Sequence, residues 1–257
     1  PHQEGIDYPM GRVCPRCPFW AGIDRFTHEP VTVPAPTMSP AEILAQLSEP
    51  SSRHPRAALT SADGHRDALV EPLLAALDRG IADPSGASDE DAGLFSYALY
   101  LFAKWREPRA YRHVCRWLSL PGEGPFDIAG DIVTEHGGTI LASVCDGDLE
   151  PIKALATNQG ANEYGRSAAV FALGRLAAWA EVPREFVDAT FLWLAREGLD
   201  REPSHVWEAL AWEAVDIDAR EVFPEIRRAF ADELIDPMFM ASAELDAAEA
   251  EPPGLRL

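Results

Sequence analysis

The sequence predicts an all-α protein: a HEAT/armadillo-like helical-repeat solenoid behind a short Pro-rich arm that is a zinc-binding candidate. Three observations predict it. Apolar residues recur at helical spacing almost without a break from about residue 63. No run after residue 38 has the alternation of a strand. Prolines 72, 108, 151, 183 and 224 lie at or near the starts of successive helical patterns, with gaps of 36, 43, 32 and 41 residues. Helix-pair solenoids repeat at roughly 40–47 residues, because one pair cannot bury its apolar face and must stack on the next. The competing arrangement is a non-repetitive helical bundle.

Taken in order, residues 1–38 form an arm and linker. Prolines at 1, 9, 15, 18, 30, 34 and 36 fix φ and bias their predecessors away from helix. Residues 39–62 read as a short helix and connector. Ser39-Pro40 is a cap with proline at the first helical position, and Ile43, Leu44 and Leu47 follow on one face. The solenoid is expected over 63–240. "HRDALVEPLLAALDRG" places Leu69, Leu73, Leu74 and Leu77 together, with Gly80 as a stop. "SDEDAGLFSYALYLFAKW" opens on acidic residues suited to the positive end of a helix dipole, then turns strongly apolar. "EPRAYRHVCRWLSLPG" is amphipathic. "FDIAGDIVTEHGGTILASVCDGD" is one long pattern with Gly137-Gly138 as a bend or break. Five further helical stretches lead to an acidic tail, 241–257.

The runs "GDIVTEHGGTILASVCDGDLEPIKAL", "RSAAVFALGRLAAW" and "PREFV" resemble an uncharacterised bacterial family of HEAT-like helical-repeat proteins, one of the domain-of-unknown-function families. The resemblance spans roughly residues 66–240 and rests on helix-packing motifs. It implies a fold and no activity. Some members carry a C-terminal SEC-C zinc motif, whereas "AEAEPPGLRL" here holds no cysteine.

The net charge is −20. Residues 1–60 hold five Lys/Arg against six Asp/Glu, leaving 17 against 36 in the remainder. Such a surface repels phosphate backbones and anionic lipid and favours basic partners. Direct binding to a nucleic-acid backbone is not expected, and no stretch approaches the ~18 apolar residues of a membrane span. Four cysteines make no disulfide framework, and the N-terminal residues read as no secretory leader, so a cytoplasmic setting is expected.

Little in the chain reads as chemistry. Cys14 and Cys17 could supply half of a tetrahedral zinc site at ~2.3 Å, with His28 as third ligand. The fourth could be His2, Asp7, His54 or a second chain. The equal alternative is an ordered loop anchored by Phe19, Trp20 and Phe26. Arg109, Arg112 and Arg116 form a basic stripe that could take an acidic peptide, phosphate or carboxylate. The simpler reading is structural ion pairing with an opposing stripe of Asp127, Asp131 and Glu135. Asp131, Glu135 and His136 could instead serve a metal-dependent enzyme, though not at HExxH spacing. Asp148 reads as a helix cap. Cys115 and Cys145 read as core, as do Trp179, Trp193, Trp207 and Trp212. The expected function is a non-enzymatic interaction or scaffold module whose acidic helical surface binds a basic protein segment. The alternative is an enzyme, or accessory subunit, using the Asp131/Glu135/His136 region. A nucleic-acid mimic is a minor third reading.

Overall fold

A computed structural model describes residues 38–50, 54–252 and 254. Those residues are all-α, with no strand among them. The first helix, α1 (Pro40–Ser48), starts as its sequence requires. Ser39 Oγ accepts from the Glu42 amide at 3.4 Å, and the Glu42 carboxylate accepts from the Ser39 amide at 2.8 Å. This reciprocal box satisfies amides that a helix start leaves unpaired. The expected connector contains a helix of its own, α2 (Arg56–Ala62), followed by a 3₁₀ turn at Asp63–His65.

Next come α3 (Arg66–Ala82) and α4 (Asp89–Trp105). Two punctuation readings fail in α3. Pro72 lies inside it rather than at its start, so one intrahelical bond is simply absent. Gly80 is also interior. A Cβ there would sit 2.6 Å from Phe95 Cδ2 and 3.0 Å from Ile128 Cγ1, so the glycine is a close-packing residue and not a stop.

After α5 (Tyr111–Leu118), the long helix expected over 126–148 is three short ones: α6 (Gly124–Ala129), α7 (Ile132–Glu135) and α8 (Gly137–Val144). Gly130 breaks the first junction with φ +54, a conformation that costs glycine little. The second break falls at His136, beside the Gly137-Gly138 pair. The remaining helices are α9 (Glu150–Thr157), α10 (Glu163–Ala178), α11 (Arg184–Trp193, ending in a π turn over Leu194–Gly198), α12 (His205–Asp216), α13 (Phe223–Ala231) and α14 (Ser242–Ala250). The last lies within the stretch read as a tail.

One row of helices runs through the fold: α4 packs on α1 and α8, α8 on α10, and α10 on α12. Beside it, α3 meets α5 and α5 meets α9. The core includes Phe95, Phe102, Tyr111, Trp117, Phe191 and Trp207, all fully buried. Their polar ends are satisfied: Tyr111 donates to the Asp148 carbonyl at 2.6 Å, Trp117 to that of Pro125 at 3.1 Å and Trp207 to that of Asp200 at 2.8 Å. Trp179 and Trp193, read as core, are well exposed instead.

Several of the hydrogen bonds between these elements fall at a similar separation. Asp63–Lys104 and Arg66–Glu107 are each 41 residues apart, Asp78–Arg116 is 38, Gly122–Asn162 is 40 and Tyr164–His205 is 41. Among the described residues, no helix is long and apolar enough to cross a membrane.

Candidate functional site

The residues with the most chemistry in one place come from the starts of α10 and α12. Asn162 caps α10, its side chain accepting from the Tyr164 amide at 2.9 Å, and so fixes Tyr164 in the first turn. Glu163 reaches across and accepts from the His205 amide at 3.0 Å, an amide at the start of α12 with no partner inside the helix. Tyr164 Oη lies 2.6 Å from His205 Nε2. One turn further along α12, the Glu208 carboxylate is hydrogen-bonded to His205 Nδ1. With Nδ1–H donating to the carboxylate, Nε2 accepts the Tyr164 hydroxyl proton, and the imidazole is held in one tautomer.

The ring is also clamped sterically. Tyr164 stacks on one face at 4.2 Å between centroids, and Phe239 stands edge-on at 4.9 Å. Burial first, then the Glu163, Glu208 and Glu123 carboxylates, raise Tyr164 above the ordinary phenol value. Tyr164 therefore stays a phenol and is a poor nucleophile.

Two cavities meet at this trio. The outer one, about 730 Å³, is lined by Glu163, His205, Glu208, Glu233, Asp236 and Phe239 among others. The inner one, about 200 Å³, is lined chiefly by Tyr164, Phe171, Trp212 and Phe239, with Thr134 and Ser167. His205, Glu208 and Phe239 belong to both.

This arrangement sits inside a stretch, residues 38–251, that matches the family described as a protein of unknown function (DUF1186). The chain belongs to that family. The match reaches beyond the 66–240 resemblance at both ends and takes in α1 and α14. This DUF1186 chain is 32% identical over 211 residues to an uncharacterised protein of Chlamydia trachomatis serovar D, covering 82% of this chain and 84% of the relative. It is 31% identical over 210 residues to an uncharacterised protein of Chlamydia muridarum, covering 81% and 84%. No solved structure matches it.

The residues singled out from the DUF1186 sequence are placed elsewhere. Cys14, Cys17 and His28 lie outside the described residues. The arginine stripe, Arg112 and Arg116 on α5 and Arg109 in the 3₁₀ turn Pro108–Ala110 before it, is paired, but not with Asp127, Asp131 and Glu135. Arg112 meets Asp148 at 2.7 Å and Asp146 at 3.9 Å, and Arg116 meets Asp78 on α3 at 2.7 Å. Arg109 meets Glu71 at 3.5 Å and Glu107 at 2.8 Å. The expected acidic stripe needs one continuous helix, and the breaks at Gly130 and His136 remove it.

Glu107 is almost fully buried. Arg109 first of all, with Arg66, holds its carboxyl down at about 2. Asp131 instead precedes α7, where its carbonyl accepts from the Thr134 and Glu135 amides. Glu135 faces His136 at 3.8 Å, with Tyr100 edge-on to that imidazole at 5.5 Å. Among the described residues, no three His, Cys, Asp or Glu side chains group to hold a metal ion. Asp148 sits one residue ahead of the N-cap position of α9, which is Leu149, and its carboxylate accepts from the first helical amide, that of Glu150, at 3.1 Å. Cys115 is buried, which pushes its thiol up to about 12, and Cys145 is half-buried and raised for the same reason.

Sequence reasoning missed Tyr164, His205 and Glu208. The one local signal was Ser204-His205-x-x-Glu208, which puts a histidine and a carboxylate on the same face of a first helical turn. Tyr164 lies 41 residues earlier and gave none.

Proposed function

We propose that the protein is an interaction module that receives a basic segment of a partner protein in the outer cleft. The observation that carries this reading is the cleft's composition. Glu163, Glu208, Glu233 and Asp236 line it, no Lys or Arg does, and Phe230, Leu234, Ile235 and Phe239 supply apolar walls. A segment alternating basic and apolar side chains would meet both. Carboxylates gathered in a concave site without Lys or Arg focus the field on an approaching cation.

The helical-repeat reading belongs to the same proposal. The recurrence of inter-helix hydrogen bonds at 38 to 41 residues supports one unit per ~40 residues, and the α4–α8–α10–α12 row supports a stacked order. A zinc knuckle at Cys14, Cys17 and His28, and a cytoplasmic setting, are further parts of it. Elemental analysis is expected to find about one zinc per chain, lost in Cys14→Ser and in Cys17→Ser. Metal-free wild-type protein, prepared without chelator, would remove the knuckle from the proposal.

The cleft is tested with a fluorescent Lys/Leu-alternating dodecapeptide. Glu233→Lys/Asp236→Lys is expected to weaken its binding at least ~10-fold, about 1.4 kcal/mol. Glu49→Lys/Glu90→Lys makes the same change in net charge on α1's end and α4 and should cost far less. Equal losses in the two double variants would show that only overall charge attracts the peptide.

A further inference from the structure

The inner pocket has a chemistry of its own. Its walls are the aromatic rings of Tyr164, Phe171, Trp212 and Phe239. Its hydroxyls are already spent. Thr134 Oγ1 donates to the Asp131 carbonyl at 3.1 Å, Ser167 Oγ to the Glu163 carbonyl at 2.8 Å, and Tyr164 is committed to His205 Nε2. No Lys or Arg lines the pocket, so an anion would find no cation to pair with there.

One charged acceptor lines it. Glu208 is 7% exposed and lines the pocket. Its Oε2 bonds His205 Nδ1, while its Oε1 receives no hydrogen bond from the described residues. A buried carboxylate facing only an imidazole leaves room for a cation, because desolvated charge is costly until paired. Aromatic faces around it also favour a cation over a neutral group. Size narrows the choice. A dry cavity of ~150 Å³ admits benzene, and about 200 Å³ admits a ring with a short arm.

We propose that this pocket binds a small organic cation, a primary ammonium on an aromatic or aliphatic stem, with the stem among Phe171, Trp212 and Phe239 and the ammonium on Glu208 Oε1. The stem's burial supplies the apolar contribution and the charge–charge hydrogen bond supplies selectivity. The cation has two possible sources: a free amine, or a lysine side chain of a docked segment. The site shares Glu208, His205 and Phe239 with the outer cleft but does not require that a peptide dock there.

The test is calorimetric titration of the full chain with 2-phenylethylamine, and with 2-phenylethanol and phenylacetate as isosteres of the other charge types. The amine is expected to bind at least tenfold more tightly than the alcohol, and phenylacetate not measurably. Glu208→Gln keeps the side chain's size and should bring the amine down to the level of the alcohol. Phe239→Ala changes a half-exposed residue, so the fold survives, and should weaken the amine several-fold. An amine that fails to bind at millimolar concentration, or that binds no better than the alcohol, overturns the proposal even where Glu208→Gln does not fold. Unchanged amine affinity in folded Glu208→Gln overturns it too. Competition assigns the source: displacement of bound amine by an N-acetylated Phe-Lys-Phe peptide places a partner's lysine in the pocket, and binding of amine without displacement leaves a free metabolite. Loss of dodecapeptide binding with the amine site intact would sink only the cleft reading.

Discussion

Raising the pH from about 5 to about 8 is expected to weaken the fold by a few kcal/mol through one carboxyl, that of Glu213. Glu213 is fully buried on α12 where that helix crosses α10, and neither oxygen has a hydrogen-bond partner. The nearest cation, Arg175, is 3.9 Å away. Space for the carboxyl exists only because residue 174 is glycine: a Cβ there would fall 1.7 Å from Glu213 Oε2. Burial dominates and pushes the group up to about 8, Arg175 opposes that in part, and Asp216 reinforces it. The native state therefore holds a proton that the unfolded chain, near 4.5, has released. Stability falls as pH rises between those values and is flat outside them. Each pKa unit is worth ~1.4 kcal/mol, so the ceiling is about 4–5 kcal/mol, and relaxation will reduce it. Glu107, held at about 2, has the opposite sign and acts only below about 4.5, so the two windows are separate. Urea unfolding at pH 5, 6, 7 and 8 measures the slope. It should be absent in Glu213→Gln, and an equal slope in wild type and variant would assign it elsewhere.

Gly165→Ala is expected to cost about 3 kcal/mol or more, near the upper end of overpacking changes. The added Cβ would lie 2.0 Å from the Leu118 carbonyl oxygen and 3.0 Å from its carbon. Both are backbone atoms, so no rotamer change relieves the clash, and α10 must move away from the end of α5. Gly93→Ala, within α4, is the matched control. Its Cβ meets only the Leu47 carbonyl at an ordinary 3.5 Å, and alanine in a helix interior gains ~0.5–1 kcal/mol over glycine. Thermal or urea unfolding separates them, and a Gly165→Ala protein as stable as wild type would show that the contact is not tight.

What the sequence made legible is what is local. The cap at Ser39, the acidic start of α4, the Asp148 carboxylate at the start of α9 and the all-α class each follow from residues within a turn or two of one another. Features that depend on what lies across an interface were not legible. Gly80 reads as a stop until Phe95 is seen against it. The acidic stripe reads as continuous until Gly130 takes φ +54. The arginines could be seen to need carboxylates, but Asp78 and Asp148 could not be chosen over Asp131 and Glu135 without knowing that α3 and α9 pack beside α5. The candidate site is the extreme case, since its tyrosine and histidine are 41 residues apart and each looks ordinary alone.

Three adjacent side chains at the start of α10 hold two distant parts of the chain. Asn162 donates to the Gly122 carbonyl at 2.6 Å, Glu163 accepts from the His205 amide, and Tyr164 meets the His205 ring. The intervals from 122 to 162 and from 164 to 205 thereby become measured lengths. A single-residue insertion or deletion inside either must be absorbed before the chain reaches the next anchor. In evolutionary terms, small length changes in this chain should gather where no side chain spans the gap.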